Sequence, residues 1–170
     1  DRTIDVNVSE TFNNFQKTGS GILTITSGDT LIVNGTLTLN NGFIDTGTID
    51  ANSTIVIESA FDGGSGVLLV NGAGDQSFTI PNGATAPGIT LNSAATTINF
   101  AAGATSGVGG PFTLQAGTFT CSSDTTTFGH NFTHTAGGTF NHNSGTVVFN
   151  VSDRTIDVNV SETFNNFQKT

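Results

Sequence analysis

The sequence predicts an all-β protein, a parallel β-solenoid, on three observations: short apolar clusters, a dense supply of turn residues, and an exact internal repeat. Thr (30), Gly (22) and Asn (18) dominate the 170 residues, whereas Met, Trp and Tyr are absent. This mixture holds too much Val, Ile, Leu and Phe for disorder and too much Thr, Gly and Asn for helices. Many short strands joined by tight turns are therefore expected.

The strands are predicted from ten apolar clusters. Leu23-Thr24-Ile25 and Leu37-Thr38-Leu39 alternate apolar and polar residues with period two, as a strand with one buried face does. No stretch shows helical periodicity. The clusters are ILTI (22–25), LIVN (31–34), TLTLN (36–40), TIVIE (54–58), VLLVN (67–71), ITLN (89–92), TINF (97–100), PFTL (111–114), TFTC (118–121) and VVFN (147–150).

A local motif, apolar–any–apolar–Asn, marks where several strands end. Asn tolerates the left-handed backbone conformation and bonds its own neighbours, so it suits a sharp corner, and stacked Asn side chains can form ladders. Hairpins with Asn-Gly turns are the competing interpretation. The motif ends at Asn7, Asn34, Asn40, Asn71, Asn92, Asn150 and Asn159.

An exact repeat defines the domain organisation. Residues 1–18, DRTIDVNVSETFNNFQKT, recur unchanged as residues 153–170. We therefore predict one full tandem unit over residues 1–152 and the start of the next over 153–170. Both ends fall inside strand-like sequence without a cap, as expected for part of a longer array.

A weaker repeat divides the unit into two diverged halves, roughly residues 145–152 plus 1–65, and residues 66–144. FDGGSGVLLVN (61–71) matches FNHNSGTVVFN (140–150) in its Phe, its Ser-Gly and its closing Asn. GTLTLNNGFID (35–45) matches GPFTLQAGTFT (110–120). Duplication at two levels is typical of a protein whose role scales with its length.

Two architectures are compatible with these patterns. In a parallel β-solenoid, coils of about 20 residues stack at about 4.8 Å, so one unit holds about seven or eight coils and rises about 35 Å. In the alternative, each half is an immunoglobulin-like β-sandwich. The absence of Trp and of a Cys pair, the very short strands and the abundance of Thr and Asn favour the solenoid.

The charge balance limits the partners. A net charge of −9 repels phosphate, which disfavours nucleic acid, and no apolar run is long enough for a membrane span. The expected partners are copies of the same chain, stacked head to tail and also side by side, with a cell surface or a glycan as a further possibility.

We predict that the chain is not an enzyme and that it has no catalytic, cofactor-binding or metal-binding residues. A β-helical enzyme needs clustered carboxylates, and an active site is not normally duplicated with its scaffold. The acidic side chains here are scattered along the sequence, at Asp29, Asp45, Asp50, Glu58, Asp62, Asp75 and Asp124.

The histidines and the single cysteine are two further groups of candidate site residues. His130 and His134 are predicted on one face of a strand, with His142 following, but no acid or Cys joins them, so surface or ladder positions are favoured over a metal site. Cys121, the single cysteine, is predicted to be a buried apolar residue beside Phe119.

Read across the junction, GTVVFNVSDRTIDVNVSETFNNFQKT (145–170) and GSGILTITSGDTLIVNGTLTLNNGFID (19–45) resemble a class of bacterial surface repeats. Those repeats run as GTVTFNG, a TI strand, TFNNL and then DLTVNGTLTL. The class is similar to filamentous-haemagglutinin-like adhesins, and the resemblance implies a β-helical scaffold that is extracellular or on the cell surface. The sequence departs from it at PNGATAPG (81–88) and AAGATSGVGG (101–110), which are expected to protrude as loops.

The predicted function is therefore structural: a repeat of an extracellular filament, sheath or adhesin stalk that extends by head-to-tail stacking of solenoid units. The alternative is an adhesin module that binds a glycan or a host surface through the Gly-rich loops at 81–88 and 101–110.

Overall fold

A computed structural model describes residues 1–103, 105–150 and 152–170. Every strand pair among these residues is parallel, and the chain winds as a β-solenoid of about eight turns, which confirms the predicted fold. Immunoglobulin-like sandwiches are excluded because they are built from antiparallel sheets. All ten predicted clusters contribute to strands. The strands are β1 (Arg2–Ile4), β2 (Ser9–Phe12), β3 (Phe15–Lys17), β4 (Ile22–Ile25), β5 (Thr30–Val33), β6 (Leu37–Asp45), β7 (Thr48–Ala51), β8 (Ile55–Gly63), β9 (Val67–Val70), β10 (Phe78–Ile80), β11 (Thr85–Ala86), β12 (Gly88–Phe100), β13 (Thr105–Val108), β14 (Phe112–Thr120), β15 (Thr125–Phe128), β16 (Phe132–His134), β17 (Gly138–Asn141), β18 (Thr146–Phe149), β19 (Ile156–Val158) and β20 (Asn166–Lys169).

Each full turn passes through three sides, which we name side I, side II and side III in chain order. The long strands β6, β8, β12 and β14 bend round a corner, so their two ends belong to different sides. Side I stacks β1, β4, the ends of β6 and β8, β11, β13, β15, β18 and β20. Side II stacks β2, β5, β7, β9, the starts of β12 and β14, β16 and β19. Side III stacks β3, the starts of β6 and β8, β10, the ends of β12 and β14, and β17.

The coil length varies along the chain. Thr30 pairs with Thr48, 18 residues later, whereas Phe132 pairs with Ile156, 24 residues later. Most other steps lie between these values, which confirms the predicted coil of about 20 residues. The differences are absorbed at the corners, because the three stacked strands of each coil must stay in register for their backbone groups to bond.

The core fills the inside of the triangle with alternate residues of each strand. Strands such as β5, β7, β9 and β18 alternate half-buried and buried positions, and their outward positions hold Thr and Asp as well as Val, Ile and Leu. In the last coils each side stacks one Phe on the next: Phe112 on Phe132, Phe119 on Phe140 and Phe128 on Phe149. Burial of each such ring stabilises the fold by about 1.5–3 kcal/mol.

The corners only partly follow the Asn prediction. Asn34 and Asn52 form a side-chain ladder, in which Asn52 Nδ2 donates to Asn34 Oδ1 at 3.1 Å. Of the seven predicted corner residues, however, Asn7 alone has a left-handed backbone, with φ of 51°. Four of the others directly follow a strand and two lie inside the long strands β6 and β12, all without that conformation: Asn34, Asn71, Asn150 and Asn159, and Asn40 and Asn92. The described residues include no helix, and hence none with the length and apolarity to cross a membrane.

Candidate assembly interface

The two ends of the solenoid are built from the same 18-residue sequence. We name residues 1–18 the first rung and residues 153–170 the last rung. The first rung bonds to the coil that follows it, through β4, β5 and β6. The last rung bonds to the coil that precedes it, through β16 and β18. The two copies of this sequence are therefore covered on opposite faces.

Both rungs turn the same side chains inward. In a parallel ladder, residues that are Cα partners point to the same face. Glu10 pairs with buried Leu31, and Phe167 pairs with buried Val147, which places both inward. Ile156 likewise lies over buried Phe132. The equivalent inward pairs are Ile4 and Ile156, Val6 and Val158, Glu10 and Glu162, Phe12 and Phe164, Phe15 and Phe167, and Lys17 and Lys169.

The last rung is covered from one face only. Ile156, Val158 and Phe167 are 40%, 37% and 51% exposed, although their side chains point toward the core. Phe132 and Phe149, one coil earlier, are almost completely buried. Inward apolar side chains with this exposure form a surface that another coil would cover.

The backbone hydrogen bonds of the two rungs use different groups. In the first rung, the amides of Val6 and Val8 donate to the Asp29 carboxylate of the next coil, at 2.9 and 3.1 Å. In the last rung the amide of Asn159, the residue between the copies of Val6 and Val8, donates to His134 O of the previous coil at 2.9 Å.

At the other corner of the rung, the forward and backward hydrogen bonds again use different backbone groups. Phe15 N donates forward to Thr36 O at 3.0 Å, whereas Thr170 N donates back to Phe149 O at 3.1 Å. The two rungs thus bond through different positions of the shared sequence, as a strand in the middle of a parallel sheet does when it bonds to its two neighbours through alternate residues.

A buried ion pair joins the last rung to the coil before it. His134 is 2% exposed, and its Nδ1 contacts Glu162 Oε2 while its Nε2 lies 3.0 Å from Gly138 O. Both ring nitrogens therefore face an oxygen atom, one from the last rung and one from the chain segment that follows β16. Glu10, the equivalent of Glu162, is exposed, and its carboxylate accepts from Thr11 N at 3.2 Å. Sequence reasoning did not identify this pair, although a His and a Glu at inward positions of apolar strands are its signal.

A buried lysine is held by the coil that follows the first rung. The Lys17 ammonium donates to Gly19 O and, at 2.9 Å, to Asn41 O. Desolvation lowers the pKa of Lys17, and the nearby Asp62 carboxylate opposes that shift. Lys169, the copy in the last rung, is exposed and donates to Thr170 O. The partner carbonyls of Lys17 thus come from residues that follow the rung.

The histidines considered as metal ligands do not converge. His134 bonds Glu162, and His142 Nδ1 accepts from Ser144 N at 3.0 Å. The prediction that His130 shares a strand face with His134 is wrong, because β16 begins at Phe132 and His130 lies at the corner before it. Burial, and then the charge of Arg154, lower the pKa of His130. Within the described ranges, no three His, Cys, Asp or Glu side chains are grouped to hold a metal ion.

Two further predictions concern Cys121 and the Gly-rich segments. Cys121 is fully buried, as predicted, and desolvation raises the pKa of its thiol to about 12. Residues 85–86 and 105–108 form β11 and β13 of side I, with Ala86, Ser106 and Val108 buried, rather than protruding loops. Turns remain at 82–83 and 102–103.

Comparisons with protein-family models, curated proteins and solved structures give no match to this chain. The fold is a three-sided parallel β-solenoid whose two end rungs share one sequence and are covered on opposite faces.

Proposed function

We propose that this chain is a structural repeat of an extracellular filament, sheath or adhesin stalk that lengthens by head-to-tail stacking of solenoid units. One observation carries the proposal: the identical first and last rungs bond in opposite directions through different groups. A single rung that makes both sets of contacts would join two units without any new residue.

The energetics of the end rungs also favour continuation. An open strand edge with inward apolar side chains is an association surface unless it is capped. The next unit would cover Ile156, Val158 and Phe167 and would supply the equivalents of Asp29 and Asn41 to the last rung. Each buried apolar side chain contributes about 1.5–3 kcal/mol, so a continuous array is expected to be more stable than its separate units.

An extracellular location is supported by the composition and the resemblance described above. Charged residues make up only 10% of the chain, and the outward surface is rich in Thr and Asn. Such a surface also suits side-by-side packing of fibres. The test of location is antibody labelling of intact cells that make the protein. Labelling without permeabilisation is expected, and labelling that requires permeabilisation would contradict the location.

The alternative, a glycan-binding or surface-binding adhesin module, has weaker support. Segments 81–88 and 101–110 contribute strands to side I, and Val108 and Ala86 are buried there. The chain has no Trp or Tyr for stacking on sugars. The proposed structural role needs neither a pocket nor a protruding loop.

The experiment compares chains of one, two and three units, each ended by residues 153–170, by electron microscopy and small-angle scattering. Each unit is expected to add about 35 Å to a rod of constant width, because a coil rises about 4.8 Å. The control carries a flexible Gly-Ser linker before residue 153 of each internal junction, and this should produce beads. Beads in the unmodified arrays would overturn the proposal.

A further inference from the structure

The last rung does not lie over the sides that the first rung occupies. Arg2–Ile4 lies on side I and Phe15–Lys17 on side III. In the copy, β19, which begins at the equivalent of Ile4, lies on side II, and β20, which ends at the equivalent of Lys17, lies on side I. Both of these parts of the rung have advanced by one side.

The number of strands in a unit explains this shift. On side I, β1 and β18 are separated by seven full turns, through β4, β6, β8, β11, β13 and β15. The copy of β1 is reached one side later, at β19. One unit therefore spans seven turns and one side, and the equivalent positions are not superposed along the fibre axis.

The weaker internal repeat gives an independent measure of the same geometry. Residues 37–39 lie on side III, and their equivalents, residues 112–114, lie on side II. Residues 68–70 lie on side II, and their equivalents, residues 147–149, lie on side I. Each half-unit thus moves back by one side. Two half-units together move back by two sides. On a coil with three sides this position is the same as one side forward, which agrees with the shift of the whole unit.

Equivalent segments of sequence can lie on different sides because each side alternates inward and outward side chains in the same way. Leu37 and Leu39 are fully buried on side III, and Phe112 and Leu114 are equally buried at the equivalent positions on side II. Leu68 and Val70 are replaced by Val147 and Phe149 with the same burial. The pattern of the sequence is therefore preserved while the side changes.

From this geometry we infer that the last rung is the docking surface for a further copy of this repeat, turned by one side, about 120°, relative to the unit before it. The inference rests on the proposed head-to-tail array. Successive units follow a screw with a rise of about 35 Å. A given surface feature returns to the same side only at every third unit, so all three sides of a long fibre offer the same features to neighbouring fibres.

Cysteine cross-linking within the existing chain tests the register of the last rung. In a Cys121→Ala background, Val148→Cys with Gln168→Cys joins Cα partners of adjacent strands whose side chains point outward. A unit made of whole turns would instead place residue 168 on side III over β17, beside the outward residues Thr139 and Asn141. The comparison variants are therefore Asn141→Cys and Thr139→Cys, each with Gln168→Cys.

After mild oxidation, intramolecular cross-linking at 148 and 168 should exceed that of both comparison pairs by at least about tenfold, since disulfides need Cα atoms within about 7 Å. Cross-linking at 139 or 141 in its place would overturn the one-side shift. That outcome would leave the rod-length experiment unaffected. Conversely, beads in that experiment would refute the array without changing the cross-linking within one chain.

Discussion

His134 and Glu162 form a buried ion pair between the body of one unit and the opening residues of its next copy. Twenty-eight positions separate them in sequence, yet they lie in adjacent coils. Glu10 is the equivalent of Glu162 in the first rung, and it is exposed. The His134–Glu162 pair is a buried polar contact between the last rung and the coil before it.

Glu162→Gln should loosen the last rung. Hydrogen bonds to charged groups contribute about 1.5–3 kcal/mol, so exchange of the Asn159 amide, which donates to His134 O, should accelerate roughly tenfold to a hundredfold. Hydrogen-exchange mass spectrometry or NMR measures this. Glu10→Gln, the same change in the first rung, is the control and should leave that amide unaffected. Equal acceleration by both variants would show that the pair does not hold the rung.

Gly64→Ala should destabilise the whole coil. Gly64 has φ of +114°, and a Cβ there would overlap the carbonyl oxygen of Ile44 in the preceding coil. The expected loss is about 2–4 kcal/mol in urea-induced unfolding. Gly74→Ala is the matched control, since a Cβ at Gly74 meets nothing within 4 Å and its backbone is not left-handed. Its free energy of unfolding should change by less than about 1 kcal/mol. A similar loss in both variants would refute the steric explanation.

The strands and the coil length could be predicted because alternation of apolar and polar residues reports directly which side chains point inward. Leu37 and Leu39 alternate with the polar Thr38 in the sequence, and both point inward and are buried. The weak repeats were equally visible. These features depend on residues that are neighbours in sequence or one coil apart.

The rotational phase of the coil could not be predicted. Coils of 18 to 24 residues differ in their corners, and the position of each corner depends on backbone conformations such as that of Asn7, which its copy Asn159 does not share. The sequence therefore does not determine on which of the three sides each strand lies. For the same reason it does not show that His134 and Glu162 are in contact. Ser106 and Gly107 were similarly misjudged, because small residues that suggest a loop also fit a closely stacked strand.

Asp50→Asn should raise stability at neutral pH. Desolvation raises the pKa of Asp50 above its ordinary 3.8, and its Oδ1 is buried without a hydrogen-bond partner among the described residues. A carboxyl group with a raised folded-state pKa binds more protons in the native state, so the charged form destabilises the fold once the pH exceeds the unfolded-state value. The gain from Asn should therefore be present at pH 7 and shrink as the pH falls toward 3.8. Thermal unfolding across this range provides the measurement.

Asp75→Asn is the control of opposite sign. Hydrogen bonds from the Ser77 side chain and backbone lower the pKa of Asp75, so its charged form stabilises the fold at neutral pH and loses this effect as the pH falls through the lowered pKa. The substitution should reduce the melting temperature at pH 7 and have less effect in acid. Shifts of the same sign for the two variants would contradict the assignment.

Phe167→Ala should have a cost that depends on the next unit. At the open end Phe167 is 51% exposed, so truncation in the 170-residue chain should cost less than about 1.5 kcal/mol, well below the value for a core Phe. In a two-unit array, the same residue at the internal junction would lie between Val147 and the equivalent of Leu37, its two Cα partners. Loss of a fully buried Phe costs about 3–5 kcal/mol, and hydrogen exchange around the junction would report it.

Phe149→Ala, buried in both chains, serves as the control with an equal cost in each. If Phe167→Ala cost the same in one unit and in two, the next unit would not be stacked on this rung.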